Sequence, residues 1–214
     1  MRASIVIPCF GRPVRTRRMI ECLGQQTINR FEAFIIGDGC SDFQALLDSE
    51  DYKEWVEDMS KIGNRVVTFN MDKNYGGCGY QIINYAIQKA TGKYFMFGGN
   101  DDMIDKDHIE YYLSEIEGTD YDMVYYNSLI RPDGDTIRDA ILQCGGIGHS
   151  EIIVKTSLAK LLPPHTSEYG HDWTFIESVL KAGGEVKKAA NPYKVTYHVM
   201  SVGPGKRRVD FEIN

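Results

Sequence analysis

The sequence predicts an α/β fold: a mostly parallel, Rossmann-like central sheet with helices on both faces, followed by a mixed C-terminal part. Three observations predict it. Short apolar, β-branched runs alternate with segments of helical periodicity through the first two thirds of the chain. These runs are apolar nearly throughout, the pattern of strands covered on both faces. The last third carries shorter runs broken by Pro, Gly and Asp.

Taken in order, Ser4 to Pro8 predicts the first strand. Met19, Ile20 and Leu23 recur at helical spacing within Val14 to Gln25. Phe31 to Ile36 predicts the second strand, closed by the turn signal Gly37-Asp38-Gly39. Phe43 to Met59 predicts one helix, with Leu46, Leu47, Trp55 and Met59 on one side and Asp42 as its cap. Val66 to Phe69 is the third strand. Gly76-Gly77-Cys78-Gly79 opens the next helix, Tyr80 to Ala90, along which Ile83, Ala86, Ile87 and Ala90 form a stripe. That glycine spacing is neither G-x-G-x-x-G nor a P-loop, so close packing is its expected role.

Tyr94 to Phe97 is the fourth strand, followed by Gly98-Gly99 and a helix beginning near Asp105. Beyond it, Tyr121 to Ile130 reads as a strand, Pro132-Asp133-Gly134 as a turn, and Thr136 to Leu142 as a hairpin partner. Leu161 to Gly170 is a proline-containing loop, and Trp173 to Lys181 a helix that stops at Gly183-Gly184. Val186 to Ala190 and Lys194 to His198 are short strands.

The 214 residues suit a single domain with a sizeable core. A net charge of -6 argues against a general nucleic-acid binder, despite basic clusters at Arg12, Arg15, Arg17 and Arg18 and at Lys206, Arg207 and Arg208. No apolar run approaches the roughly 20 residues of a membrane span. The N-terminal apolar stretch is too short for a signal-peptide core and reads as the buried first strand. Five cysteines, an odd number without a C-x-x-C, argue against a disulfide framework or a cysteine zinc site. A reducing, cytoplasmic compartment is expected.

Ligands bind open parallel sheets beyond the carboxyl ends of the strands. The polar residues there are Arg12, Asp38, Asn70, Asp72, Asn100, Asp101 and Asp102. Asp101 and Asp102 are adjacent carboxylates at a strand end, which repel unless solvated, paired or metal-bound. A hard divalent cation would accept both and bridge a diphosphate. The competing reading is a helix cap. Asp38 can accept from a base N–H or ribose hydroxyl, or simply close a turn. Asp172, in Tyr169-Gly170-His171-Asp172-Trp173, is either a first-turn acid or a general base. His171 is the alternative base. His198 could supply an imidazole to the metal, and the tail from Gly203 to Arg208 could fold over the donor.

Together these pieces resemble the family 2 glycosyltransferases of the GT-A fold. The stretches that carry the resemblance are SIVIPCFGRP, CLGQQTINRFEAFIIGDGCSD, NYGGCGYQIINYAIQKATGKYFMFGGNDD and GHDWTFIESVLKAGG, in the family's order. The resemblance implies an inverting transfer of a sugar from a nucleotide diphosphate donor, most often a UDP-sugar, to an acceptor hydroxyl on a glycan or glycoprotein. It implies Mn2+ or Mg2+ held by Asp101, Asp102 and His198, and Asp172 as catalytic base. Pro8, Phe10, Arg12, Asp38, Asn74, Asn100, Asp101 and Arg207 are the donor-binding residues it implies. Residues 1–102 would then take the nucleotide sugar, and 103–214 would shape the acceptor site and carry the base.

Gly99 stands where the family often has the first Asp of Asp-x-Asp-Asp, Gly37 where it has Asp, and His171 where it has Glu. Ile83-Asn84 stands for its Arg-Asn. These departures bear on donor identity more than on reaction class. The compact length is also similar to glycosyltransferase domains with which large algal viruses decorate capsid protein, which would place the chain in host cytoplasm. The alternatives are a nucleotidyltransferase making a sugar nucleotide, and a non-catalytic sugar-nucleotide or glycan binding module.

Overall fold

The computed structural model describes residues 1–131, 136–190 and 196–199, with backbone only at 129–131, 136 and 196–199. Its first strand, β1 (Ala3–Cys9), is buried along nearly its whole length. The chain then forms α1 (Pro13–Gly24), β2 (Glu32–Gly37), α2 (Ser41–Asp48), α3 (Glu50–Lys61), β3 (Arg65–Asn70), α4 (Tyr80–Lys89) and β4 (Tyr94–Phe97). Pro13 opens α1, where its fixed φ and missing N–H cost nothing.

The single helix expected from Phe43 to Met59 is two. Ser49 between them is extended, at φ -73° and ψ 141°, and its hydroxyl donates to the Leu46 carbonyl at 2.7 Å. A serine that bonds its own backbone competes with the helical ladder. Glu50 and Asp51 then favour a fresh start by lying in the first turn of α3. Asp42 is not the cap of α2: Cys40 holds that position and Asp42 lies in the first turn.

Further on come β5 (Asp102–Met103), α5 (His108–Ile116), β6 (Met123–Tyr125), β7 (Ser128–Arg131), β8 (Thr136–Arg138), β9 (Ile152–Lys155), α6 (Thr156–Ala159), α7 (His171–Lys181), β10 (Val186–Lys188) and β11 (Thr196–Val199). The main sheet has seven strands in the order β10-β6-β9-β4-β1-β2-β3. All pair in parallel except β9, which runs antiparallel to both β4 and β6. The sequence reading did not anticipate β9.

The run Tyr121 to Ile130 is also two strands. β6 joins the main sheet, and β7 joins a four-stranded sheet ordered β5-β11-β7-β8. Between them Tyr126 stacks on Tyr112 with ring centroids 3.6 Å apart, and Asn127 accepts the Ala140 N–H at 3.1 Å. Those two buried contacts turn the chain from one sheet to the other.

The core lies on both faces of the main sheet. Ile5, Ile7, Ala33, Ile35, Tyr94 and Met96 pack with Met19, Leu23, Phe43 and Tyr112 on one side. Val6, Phe34, Ile36, Phe95 and Phe97 pack with Ile83, Ile87, Phe175 and Ile176 on the other. Strand side chains alternate between faces, so a sheet covered twice needs apolar residues at every position. Among the described residues no helix is long and apolar enough to cross a membrane.

Candidate active site

The strands β4, β1 and β2 are neighbours, and the loops at their carboxyl ends form one rim. Arg12 takes the left-handed conformation, φ 55°, at the start of α1. Its guanidinium Nη1 donates to Asp101 Oδ2 at 2.6 Å, and Arg15 Nη1 lies 3.9 Å from the same oxygen. Asn100 is buried and turned into the protein. Its amide donates to Gly11 O at 3.3 Å and Thr16 Oγ1 at 3.0 Å, tying the loop after β4 to the loop after β1.

Asp101 and Asp102 do not cap the following helix, whose capping position is Asp107. Asp102 Oδ2 accepts the Gly99 N–H at 3.0 Å and the Ser150 hydroxyl at 2.9 Å. A Cβ at Gly99 would lie 2.8 Å from that same oxygen. The Asp102 carboxylate thus fills the space a side chain at position 99 would need. Burial pushes the Asp101 carboxyl up from its ordinary range, and the neighbouring Asp102 charge adds to the shift while Arg12 opposes it. The backbone of β11 pairs His198 opposite Asp102 in antiparallel register.

The turn at residues 148–151 joins the acid pair to the start of α7. Glu151, fully buried, accepts the Gly148 N–H at 2.7 Å and the Ser128 hydroxyl, closing the turn. Ser150 then faces Asp102. Gly148 faces Asp172: a Cβ built on it would sit 3.6 Å from Asp172 Oδ2. Asp172 is the second residue of α7, and its Oδ1 accepts the Trp173 N–H at 2.7 Å.

Asp38, only 4% exposed, holds a loop. Its two oxygens accept the N–H groups of Tyr75 and Gly76 at 2.9 and 3.1 Å, and Asn74 donates to its carbonyl at 3.2 Å. Each carboxylate oxygen keeps a second lone pair for a ligand. Pro8 packs so closely on Gly79 that a Cβ there would come within 2.4 Å, which bears out close packing as the role of that glycine. Phe10 presents an unusually open aromatic face, 55% exposed. Arg207 and the tail from Gly203 to Arg208 lie outside the described residues, as does the His198 side chain.

Arg15, Ser150 and Glu151 are site residues that the sequence reading did not assign. Arg15 had a signal in its basic cluster. The other two had none, because their partners come from distant segments.

A mostly parallel seven-stranded sheet covered by helices on both faces is the GT-A architecture of glycosyltransferases. The chain belongs to glycosyl transferase family 2, whose pattern matches residues 4–182. It is 29% identical over 114 residues to the amylovoran biosynthesis glycosyltransferase AmsB of Erwinia amylovora, covering 53% of this chain and 35% of that protein. The curated relatives it matches are longer proteins, of which the matched region spans between 14% and 35%. Among solved structures, S. aureus TarS 1-349 in complex with UDP-GlcNAc superposes with TM-score 0.70 at 17% identity, over 95% of this chain and 60% of that one. The mannosyltransferase PcManGT of Pyrobaculum calidifontis, in complex with GDP-Man and Mn2+, gives TM-score 0.73 at 13% identity, over 95% and 58%. At these identities the structural likeness shows the fold.

Proposed function

We propose that the chain is an inverting, metal-assisted glycosyltransferase domain that moves a sugar from a nucleotide diphosphate, a UDP-sugar in first place, to an acceptor hydroxyl on a glycan or glycoprotein. The observation that carries this reading is the 148–151 turn, which sets Asp102 and Asp172 on its two sides. Such an arrangement suits a leaving group at one carboxylate and an attacking hydroxyl at the other. Family membership supports it. The complexes of TarS with UDP-GlcNAc and of PcManGT with GDP-Man and Mn2+ are consistent with it.

In this reading, residues 1–102 receive the nucleotide sugar and 103–214 shape the acceptor side of one domain. Pro8 and Phe10 wall the base, with Asp38 and Asn74 at its edge. Arg12 is a cation bonded to the acid pair, its guanidinium 2.6 Å from Asp101 Oδ2. Released from Asp101, it would face the diphosphate, with Asn100 fixing the loop that carries both. Adjacent carboxylates and a histidine on the paired strand fit a hard divalent cation. Asp101 and Asp102, with His198, would hold Mn2+ or Mg2+, which supplies charge neutralisation on the departing diphosphate. Asp172 takes the proton from the acceptor hydroxyl as it attacks the anomeric carbon from the face opposite the leaving group. Arg207 belongs to this proposal as a donor contact from the tail.

The test pairs calorimetry with kinetics. Wild type and Asp172→Asn should bind UDP alike in Mn2+, and more tightly than GDP or dTDP. Turnover of the variant should fall about 10²–10⁴-fold. Transfer by Asp172→Asn at the wild-type rate would remove Asp172 from the base role.

A further inference from the structure

The sequence contains five histidines, and three of them meet beside the proposed base Asp172, one of them His171, the alternative base. His149 comes from the turn before β9, His165 from the loop after α6, and His171 from the first position of α7. Each offers a ring nitrogen, and the set lies within 4.8 Å of one another. The rings are held in place. His149 stacks on Phe97 with centroids 4.6 Å apart, and His165 stacks on Phe175 at 4.8 Å. Asn84 clamps the backbone of His165 from both sides, donating to its carbonyl at 2.9 Å and accepting its N–H at 2.8 Å.

The hydrogen bonding within this cluster is incomplete. His149 Nε2 and His165 Nε2 approach to 2.8 Å, a contact that accommodates one proton between two nitrogens. The Nδ1 atoms of His165 and His171 are buried without a partner among the described residues, in residues only 5% and 8% exposed. A buried polar atom without a partner costs free energy unless something occupies it. Burial also holds all three imidazoles toward the neutral form, His165 down to about 3, so their nitrogen lone pairs stay available.

We infer that His149, His165 and His171 form a binding site for a borderline transition-metal ion of the zinc class, separate from the hard-cation position at Asp101 and Asp102. Nitrogen donors without carboxylates select zinc, cobalt or nickel over magnesium and manganese. Three histidines with one open position are a known zinc geometry. Zinc–nitrogen bonds of ~2.0–2.1 Å in a tetrahedron place ligand nitrogens about 3.3 Å apart. The widest separation must therefore close by roughly 1.5 Å when the ion binds. Bound metal would pin the loop before α7 to the turn that carries Ser150. It would thereby fix the neighbour of Asp172 and exclude His171 from the base role. The site stands whether or not the proposed transfer is correct, because its test uses neither donor nor acceptor.

The full chain, stripped with chelator and freed of it, is titrated with Zn2+ and separately with Co2+. One equivalent of zinc should bind, raising the unfolding temperature by roughly 5–10 °C at a hundredfold excess over Kd. Cobalt should give the visible absorption of a tetrahedral nitrogen site. His149→Gln with His165→Gln should lose the cobalt spectrum, and Asp101→Asn with Asp102→Asn should keep it. A wild-type protein that shows no zinc-dependent shift and no cobalt spectrum overturns the inference, leaving a stacked aromatic layer, whether or not the histidine variants fold. Equal binding by wild type and the histidine variant overturns it too.

Discussion

Ser150 is the residue on which the site's two halves meet. Its hydroxyl donates to the buried Asp102 carboxylate across 48 positions of sequence. The acid pair beyond β4 could be singled out in the sequence because adjacent carboxylates repel unless solvated, paired or metal-bound. A lone serine carries no such signal, and its partner is visible only once β9 folds between β4 and β6. The same holds for Glu151, whose burial depends on Ser128, Gly148 and the nearby Arg138. Hydrogen bonds to a metal-ligating carboxylate typically tune metal affinity by about 10–100-fold. If Asp102 holds the proposed Mn2+, Ser150→Ala should raise the Mn2+ concentration for half-maximal transfer by that factor, with kcat at saturating Mn2+ little changed. An unaltered Mn2+ requirement would show that Ser150 only packs against the acid.

At the scale of elements, the parallel strands were readable and the antiparallel insertion was not. β1, β2 and β4 are apolar runs bounded by turn residues, whereas Ile152–Lys155 is too short to show a period. Its place is secured by an ionic clip. Asp122, just before β6, accepts from Lys155 Nζ at 2.9 Å and from the Glu185 N–H at 3.0 Å, joining β6, β9 and the approach to β10. The Lys155 hydrogen bond lowers the Asp122 pKa below its ordinary value. A carboxyl depressed in the folded state contributes stability that is complete above the unfolded pKa, about 3.9, and is lost as pH falls through the folded value. The pair is about a quarter exposed, so Asp122→Asn should cost only about 0.2–1 kcal/mol at neutral pH. The difference from wild type should shrink as the pH is taken from neutral into acid through the folded value. Urea midpoints at neutral and acid pH measure it. A gap that persists in acid would mean that the Glu185 contact, not the charge, holds the edge.

Across the whole molecule, the Glu32 anchor and the proposed active site sit at opposite ends of the sheet. Glu32 is fully buried at the start of β2, five residues of strand from the rim, or about 17 Å. It accepts from the Ser4 hydroxyl at 2.7 Å, the Thr91 N–H and hydroxyl at 2.9 and 3.0 Å, and Arg65 at 2.6 Å. One carboxylate thereby gathers β1, β3 and the turn into β4. In the sequence Phe31-Glu32 reads as part of a family pattern. What it anchors is invisible there, because each partner lies between 28 and 59 positions away. Glu32→Ala leaves the buried Ser4 hydroxyl without an acceptor, while half-exposed Arg65 and exposed Thr91 turn to water, a loss of roughly 1–3 kcal/mol. Turnover per folded molecule should be unchanged, since the hydrogen-bond partners of Glu32 among the described residues, Ser4, Arg65 and Thr91, lie outside the rim loops and the 148–151 turn. Urea unfolding combined with turnover normalised to the folded fraction separates the two effects. A variant that kept wild-type stability, or that lost transfer while fully folded, would break the division between the anchored end and the reactive one.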